Sequence, residues 1–427
     1  MTGLILVGVF FALILCNIPI AVSMGLAAIA GLLYCDMPVS VVPSLMASAI
    51  GKSSLLAIPF FILAGVIMDY AGISRRLVNF ARACIGHVRG GLAIVVVVVA
   101  CFFAAISGSG PATVAALGGV LIPAMTDAGY KKGFSCGLLA ASGGIGVIIP
   151  PSIAFVVYAM IAEVSVGTMF MSGILPGLLV GAAYIVASLW CLCDEKDIVL
   201  LEKVNGGERW KAFKDAFWGL LTPVIILGGI YGGIFTPTEA AGVAVVYGLF
   251  VGVFIYKEIK ISSLRSLCVD SAVSSAVVMY ILASAGIFTY ILTTSRVAAS
   301  MTEGLLFISN NKLILLLIMN VIFLIAGCFV DTVSAFYLFL PILLPIIHAM
   351  DYSPYAFGVL MTANFAVGMI TPPVGVNLYV ACNIGKISMT EICRHILPFV
   401  VAGVVAVLIM TYFPIISTGL PSLMGLI

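Results

Sequence analysis

The most constraining feature of this sequence is an uncharged run of 34 residues, 92–125, which is broken near its middle by Ser107-Gly108-Ser109-Gly110-Pro111. A membrane-spanning helix needs about 20 apolar residues to cross a hydrocarbon core about 30 Å thick. The run is too long for one span, and each of its two arms measures only about 22 Å at the helical rise. We therefore predict a re-entrant hairpin, whose irregular tip must be buried in protein or line a wet cavity.

The composition places the rest of the chain in a membrane as well. The sequence is 63% hydrophobic and 8% charged, and its mean hydropathy is +1.29. These values are typical of an all-helical protein that crosses the bilayer several times and are not those of a soluble domain. No basic surface of the kind that binds nucleic acid is visible, so we predict no nucleic-acid partner.

Apolar runs and their interruptions divide the chain into four predicted parts. Residues 1–50 are predicted to form scaffold helices, and 51–193 a first repeat with an arm helix, the hairpin 92–125 and a broken helix 134–162. Residues 194–265 are predicted to form an amphipathic cytoplasmic arm and central scaffold helices. Residues 266–427 are predicted to form a second repeat with a hairpin 313–347 and a broken helix 357–383. The predicted fold therefore contains two re-entrant helical hairpins and two discontinuous helices.

The distribution of positive charge predicts the orientation of these parts. If each hairpin returns to the side from which it enters, every lysine and arginine except Lys52, Arg296 and Lys312 falls on one face. An excess of Lys and Arg marks the cytoplasmic side of a membrane. We therefore expect a multi-pass protein of the bacterial inner membrane, with the first hairpin entering from the cytoplasm and the second from outside.

The two halves also align with each other without gaps, at a constant offset of 222 residues for the broken helices and 220 for the hairpins. The matched positions include Gly146 and Gly368, Pro150-Pro151 and Pro372-Pro373, Ser107 and Gly327, and Arg76 and Arg296. Because the charge pattern makes the copies face opposite ways, we interpret them as inverted repeats. Interrupted hydrophobic segments at matching positions of inverted halves indicate a midplane binding site in a secondary transporter.

The breaks themselves suggest which ligands bind there. An unwound helix exposes carbonyl oxygens, which suit sodium, and the amide ends of half-helices, which suit anions. We predict two or more sodium ions, held where each hairpin tip faces a broken helix. The alternative is that glycine and serine only permit close helix packing here. The candidate cation-binding residues are Ser107, Gly110, Gly143, Val147, Pro150, Gly327, Gly368, Thr371 and Val374.

Two ionisable residues lie near the second-half breaks, and charges inside membrane segments are rare and costly. Arg296 is predicted to bind a substrate carboxylate bidentately, or alternatively to be an arginine that reaches the interface from a helix end. Asp331 is predicted to bind substrate hydroxyls or to help a cation site, or alternatively to cap the second hairpin arm. Ser109 and Asn377 complete the candidate substrate-binding residues.

In order and spacing, these motifs resemble the large membrane subunit of tripartite ATP-independent periplasmic (TRAP) transporters, the DctM family. The resemblance covers essentially the whole chain and rests on the segments 107–113, 146–152 and 368–375 and on a repeated Ile-Leu-Pro. It implies an elevator-type, sodium-coupled importer rather than an enzyme. It also implies a periplasmic binding protein, a separate small four-helix membrane subunit, and an organic acid substrate such as a C4-dicarboxylate, a keto-sugar acid or sialic acid.

The sequence is also compatible with other functions. A sodium- or proton-coupled anion transporter or exchanger of the same architecture, working without a binding protein, would have the same sequence features. A channel is disfavoured but not excluded by inverted halves with discontinuous helices. An intramembrane serine hydrolase is improbable, because a nucleophile such as Ser109 needs a base within hydrogen-bond reach and no histidine or lysine lies inside the predicted membrane segments.

Overall fold

The computed structural model is described for residues 2–16, 18–193, 195, 198–199, 202–295 and 311–427, and these contain helices and no strand. The helices of the first half are α1 (Thr2–Leu15), α2 (Ile20–Tyr34), α3 (Val42–Ile50), α4 (Ala57–Tyr70), α5 (Ile73–Ile85), α6 (Gly91–Ser107), α7 (Gly110–Asp127), α8 (Lys132–Gly144), α9 (Ile153–Ile161) and α10 (Val166–Cys191). Short 3-10 turns at Val39–Val41, Ser53–Leu56 and Ile145–Val147 precede α3, precede α4 and follow α8.

The second half repeats this order. Its helices are α11 (Gly206–Tyr231), α12 (Pro237–Phe250, continued by a π-helical turn Val251–Ile255), α13 (Ile261–Thr294), α14 (Lys312–Gly327), α15 (Thr332–Ala349), α16 (Pro354–Gly368), α17 (Val376–Gly385), α18 (Met389–Tyr412) and α19 (Ile415–Leu423). In both halves a span is followed by a hairpin (α6–α7 or α14–α15), a broken helix (α8–α9 or α16–α17) and a long final span (α10 or α18).

Both predicted hairpins and both broken helices are therefore confirmed, with small shifts at their ends. The arms are 17 and 18 residues long in the first hairpin and 16 and 18 in the second, or about 24–27 Å at the helical rise, which is less than the hydrocarbon core. Among the described residues, seven helices are long and apolar enough to span a membrane, and one of them is the arm Thr332–Ala349. Burial distinguishes it, because 67% of that arm is buried, against 33% of the most apolar window of Val166–Cys191.

One predicted boundary is wrong. The amphipathic arm and the first central helix of 194–265 were predicted as separate elements, but both belong to α11, which begins at Gly206 and runs without interruption to Tyr231. No glycine or proline that would end a helix lies between Gly207 and Gly219, where the arm joins the span, so the arm and the span form one helix.

The core lies around the two broken helices, where the two halves interlock. Residues 133–159 and 356–370 are all buried. Helix α17 of the second half packs against α7 and α8 of the first, while α9 of the first half packs against the hairpin arm α15 of the second. The Tyr158 hydroxyl, for example, donates to the Pro354 carbonyl at 2.6 Å. Elements of both halves thus pack beside each break.

Candidate functional site

The first hairpin tip touches the first helix break directly. Helix α6 ends at Ser107 and is capped by Gly108, whose φ of +61° lies in the left-handed region that favours glycine. An alanine Cβ at Gly108 would lie only 2.6 Å from the Pro151 carbonyl oxygen. The Ile153 amide at the start of α9 donates to the Gly108 carbonyl at 3.3 Å. The residue at the tip must therefore be glycine if tip and break are to meet this closely.

Several oxygen atoms converge beside this contact. The Thr113 hydroxyl donates to the Ser109 carbonyl at 2.8 Å and is 2.9 Å from the Ser107 hydroxyl. An alanine Cβ at Gly146 would lie 2.8 Å from the Thr113 hydroxyl and 2.9 Å from the Ser109 carbonyl oxygen. The Gly143 carbonyl faces Gly110 in the same way, with 3.2 Å to a Cβ built there. Hydroxyl and carbonyl oxygens of this kind are suited to coordinate sodium at a helix break.

Asn377 joins this first tip, although it belongs to the second broken helix. Its side chain is fully buried, and its amide nitrogen donates to the Ala140 carbonyl at 3.1 Å. A Cβ at Gly110 would lie 3.2 Å from both polar atoms of the amide. The amide oxygen of Asn377 has no hydrogen-bond partner in the described part of the chain. A buried acceptor without a partner is costly, so this oxygen is suited to a cation or a water.

The second tip is built in the same manner. An alanine Cβ at Gly368 would lie 2.5 Å from the Gly327 Cα atom, and a Cβ at Gly327 would lie 3.0 Å from the Gly368 Cα atom. The Gly375 amide donates to the Cys328 carbonyl at 3.4 Å, and the Thr371 hydroxyl donates to the Val367 carbonyl at 2.8 Å. The glycines permit close packing at both tips, and the packing in turn brings backbone carbonyls together.

The two breaks differ in their access to the surface. Residues 145–152 of the first break, with Val147 and Pro150, are all buried. In the second break Pro372 and Pro373 are exposed, and Thr371 and Val374 are half-buried. Both Pro-Pro pairs are joined by a cis peptide bond. In this conformation the second break is the more open of the two.

Asp331 occupies the capping position that the sequence offered as its alternative role. Its carboxylate accepts hydrogen bonds from the amides of Val333 at 3.1 Å and Ser334 at 3.3 Å, and from the Ser334 hydroxyl at 2.5 Å. These bonds satisfy amides at the start of α15 that have no partner within the helix. Both carboxylate oxygens of Asp331 already accept hydrogen bonds within the cap. A contact between Asp331 and substrate therefore stays a prediction.

Arg296 lies outside the described residues, but the residue that it matches in the first repeat is well placed. The guanidinium of Arg76 is 3.1 Å from the Glu258 carboxylate and 3.9 Å from the centre of the Tyr256 ring. It also donates to the carbonyls of Ala71 and Gly72 at 3.1 Å. In the first half this position thus anchors the arm helix α5 to the segment that follows α12.

A cavity of about 570 Å³ adjoins the first tip, between α4, α13 and the first hairpin. This volume lies within the range of small-molecule sites. Ser109, predicted to contact substrate, lines it together with Ser107. Its wall also carries Tyr70 and Asp270, whose hydroxyl and carboxylate are joined at 2.7 Å. Sequence reasoning missed Asp270, because nothing in the pattern of α13 indicates that it faces a hairpin tip so distant in sequence.

Comparisons with known proteins agree with this architecture. The family model described as the DctM component of the tripartite ATP-independent periplasmic transporter matches residues 7–416. The crystal structure of the YdaH transporter of Alcanivorax borkumensis superposes with a TM-score of 0.65 over 89% of this chain and 88% of its own. At 15% sequence identity, that similarity supports the fold alone.

Three relatives are much closer in sequence. The C4-dicarboxylate TRAP transporter large permease protein DctM of Rhodobacter capsulatus is 37% identical over the whole of both chains. The sialic acid TRAP transporter large permease protein SiaM of Vibrio cholerae is 35% identical over 97% of each. The isethionate TRAP transporter permease protein DctMQ of Oleidesulfovibrio alaskensis is 42% identical over 96% of this chain, which spans only 65% of that protein.

These relatives are named as transporter permeases, which are not enzymes, and membership of their family implies a small membrane subunit and a periplasmic binding protein. The apolar spans fit a multi-pass protein of the bacterial inner membrane. The family match, the identity over the full length and the hairpin fold lead to one conclusion. This chain belongs to the DctM family, the large membrane subunits of tripartite ATP-independent periplasmic transporters.

Proposed function

We propose that this chain imports a small organic acid by sodium-coupled secondary active transport, taking its substrate from a periplasmic binding protein. The observation that carries the proposal is the pair of hairpin tips, each in backbone contact with a helix break, in two inverted halves. Discontinuous helices of this kind form the substrate and coupling-ion sites of secondary transporters. The relatives named for C4-dicarboxylates, isethionate and sialic acid support an organic acid as the substrate class.

Sodium is proposed at each tip because the available donors are uncharged oxygens. At the first tip the ligands would come from Ser107, Gly110, Gly143, Val147 and Pro150, with the unpartnered amide oxygen of Asn377 beside them. At the second tip they would come from Gly327, Gly368, Thr371 and Val374. An anionic substrate held next to these ions would be attracted by their charge, so each ligand would raise the affinity for the other, typically by 1–3 kcal/mol.

An elevator motion would carry these sites across the membrane. The hairpins and broken helices would move together as a transport domain, because they form one interlocked, buried core. The helices of 1–50 and the central helices α11 and α12 would form the scaffold, braced by the arm α5 and by the first turns of α11. A separate four-helix small subunit would complete that scaffold.

Sodium coupling predicts a measurable change in stability. A ligand that binds only the folded protein raises the melting temperature by mass action. We expect the purified transporter to melt at a higher temperature in sodium than in potassium at equal ionic strength, and to gain further from one acid of an organic-acid panel only when sodium is present. Sodium coupling would be contradicted if, with each acid of the panel, the melting temperature were the same in sodium as in potassium.

Uptake into proteoliposomes then separates the import mechanism from an exchanger of the same architecture. Import of the identified acid should require an inward sodium gradient and added binding protein. Uptake that saturates normally without the binding protein would instead favour the binding-protein-independent alternative.

Substitutions at the tips should change the sodium dependence specifically. A Cβ at Gly110 would press on the Gly143 carbonyl and the Asn377 amide at 3.2 Å, and a loss of about 1 kcal/mol in ion binding raises the half-saturating sodium concentration roughly fivefold. We expect this shift for Gly110→Ala, and a similar one for Thr371→Ala. Gly119→Ala in the same helix α7 is the matched control, because its Cβ would meet nothing within 4 Å. If the dependence of uptake on sodium concentration is unchanged in either variant, the substituted residue does not belong to the sodium site.

A further inference from the structure

Helix α13 is packed over only part of its length. Its 34 residues extend about 51 Å, well beyond the thickness of a hydrocarbon core. Between Leu282 and Leu292 most residues of the helix are buried, and α13 packs against α2, α3 and α15. In the first half, residues 261–280, only Leu267 and Ser271 are buried. This part of the helix contacts α4 on one side, and the rest of its surface is uncovered in the described part of the chain.

Two adjoining sides of this part of the helix are uncovered. Asp270, Ser274 and Val278 recur every four residues and line the cavity at the first hairpin tip, so that side is accounted for. The other side, here called the α13 face, repeats an alanine followed by a valine at the same spacing. It consists of Val269, Ala272, Val273, Ala276, Val277 and Tyr280, all exposed.

The valines and the tyrosine of the α13 face are between 48% and 59% exposed, which is far from the packing of a protein interior. Residues four apart lie one above the other on a helix. Ala272 and Ala276 therefore form a shallow groove with a ridge of valines beside it. Small residues at this spacing let two membrane helices approach closely, and such pairs are enriched where helices associate in a bilayer.

Other exposed helix faces are built differently. The exposed residues of α14 include Leu313, Leu317 and Ile325, and those of α18 include Leu397 and Ile409. These are large side chains, with no alternation of alanine. Since lipid chains do not need a groove of small residues, the contrast indicates that the α13 face is made for another helix.

The isethionate relative indicates where that helix comes from. This chain matches 65% of the relative's length, so about a third of that permease is additional chain joined to the same kind of large subunit. The family works with a small membrane subunit. We propose that the α13 face binds a helix of the small membrane subunit, with the alanines of the face against its backbone. The identity of the partner rests on the proposed function, whereas the existence of the interface does not.

The test is recovery of the complex after a large side chain fills the groove. This chain is co-expressed with the differently tagged small subunit of its own transporter, and the small subunit recovered with it is quantified. We expect Ala272→Trp and Ala276→Trp each to lower that recovery at least about tenfold, because a tryptophan prevents close approach of the helices. Val405→Trp, on the large-residue side of α18 and 49% exposed, is the matched control and should leave recovery unchanged.

Two further measurements make every outcome decisive. The melting temperature of the large subunit alone should be the same for all three variants, which excludes misfolding as the cause. A photo-crosslinking amino acid at Val273 should attach to the small subunit in membranes. Full recovery of the complex with both alanine variants, or a crosslink only to lipid or to a second copy of this chain, would overturn the proposal. Because neither readout involves uptake, failure here leaves sodium-coupled import standing, and failure of sodium coupling leaves this result unaffected.

Discussion

Replacing Gly368 with alanine should abolish uptake while the protein still assembles in the membrane. The new Cβ would lie 2.5 Å from the Gly327 Cα atom, 2.6 Å from its carbonyl carbon and 2.9 Å from its carbonyl oxygen. All three are backbone atoms, so no side chain can rotate to make room. The second hairpin tip would have to move away from the break, at a typical overpacking cost of about 1–3 kcal/mol. The carbonyls proposed to hold sodium would then no longer converge.

The measurement is sodium-driven uptake into proteoliposomes, with the folded fraction followed by size-exclusion chromatography and thermal unfolding. Gly228→Ala is a suitable control, because that helical glycine has nothing within 4 Å of its Cβ position. Gly327→Ala should act in the same direction, since its Cβ would lie 3.0 Å from the Gly368 Cα atom. If Gly368→Ala transports like the wild type, the contact between tip and break is not needed for transport.

The hairpins and breaks were predictable from sequence because the bilayer imposes simple length rules. An uncharged run of 34 residues can neither cross once nor leave the membrane, so it must fold back at its glycine- and proline-containing centre. The same reasoning located the second hairpin and paired the two breaks through their Pro-Pro dipeptides. The exact helix ends were not predictable in this way, as α11 shows, since an amphipathic arm can continue into a span without any break in the sequence.

The interlocking of the halves was not predictable in this way. Asn377 follows the second break, yet its amide lies against Gly110 at the first tip. Asp270 comes from a central helix, yet it lines the cavity beside the same tip. Thr113 belongs to the segment 107–113 that carries the family resemblance, but only the fold places its hydroxyl beside the Ser109 carbonyl. These contacts join residues far apart in sequence or depend on side-chain direction, and hydrophobic periodicity carries no information about either.

Arg296→Ala should also abolish uptake, if this arginine holds the carboxylate of the substrate. Truncating one partner of a buried, hydrogen-bonded charge pair costs about 2–5 kcal/mol, which corresponds to a rise of roughly 30-fold or more in the half-saturating substrate concentration. Arg296→Lys should recover only part of the loss, because an ammonium group cannot reproduce the bidentate geometry of a guanidinium. The sodium-induced rise in melting temperature should persist in both variants, since the proposed sodium ligands do not include this side chain.

Arg76, which matches Arg296 in the inverted repeat, provides the contrast that makes this test decisive. Its guanidinium is held by the Glu258 carboxylate, the Tyr256 ring and two backbone carbonyls, so Arg76→Ala should lower the melting temperature and leave substrate affinity nearly unchanged. If Arg296 is the same kind of anchor, Arg296→Ala will behave like Arg76→Ala. A lowered melting temperature with an unaltered half-saturating substrate concentration would therefore remove Arg296 from the substrate site and give it an anchoring role like that of Arg76.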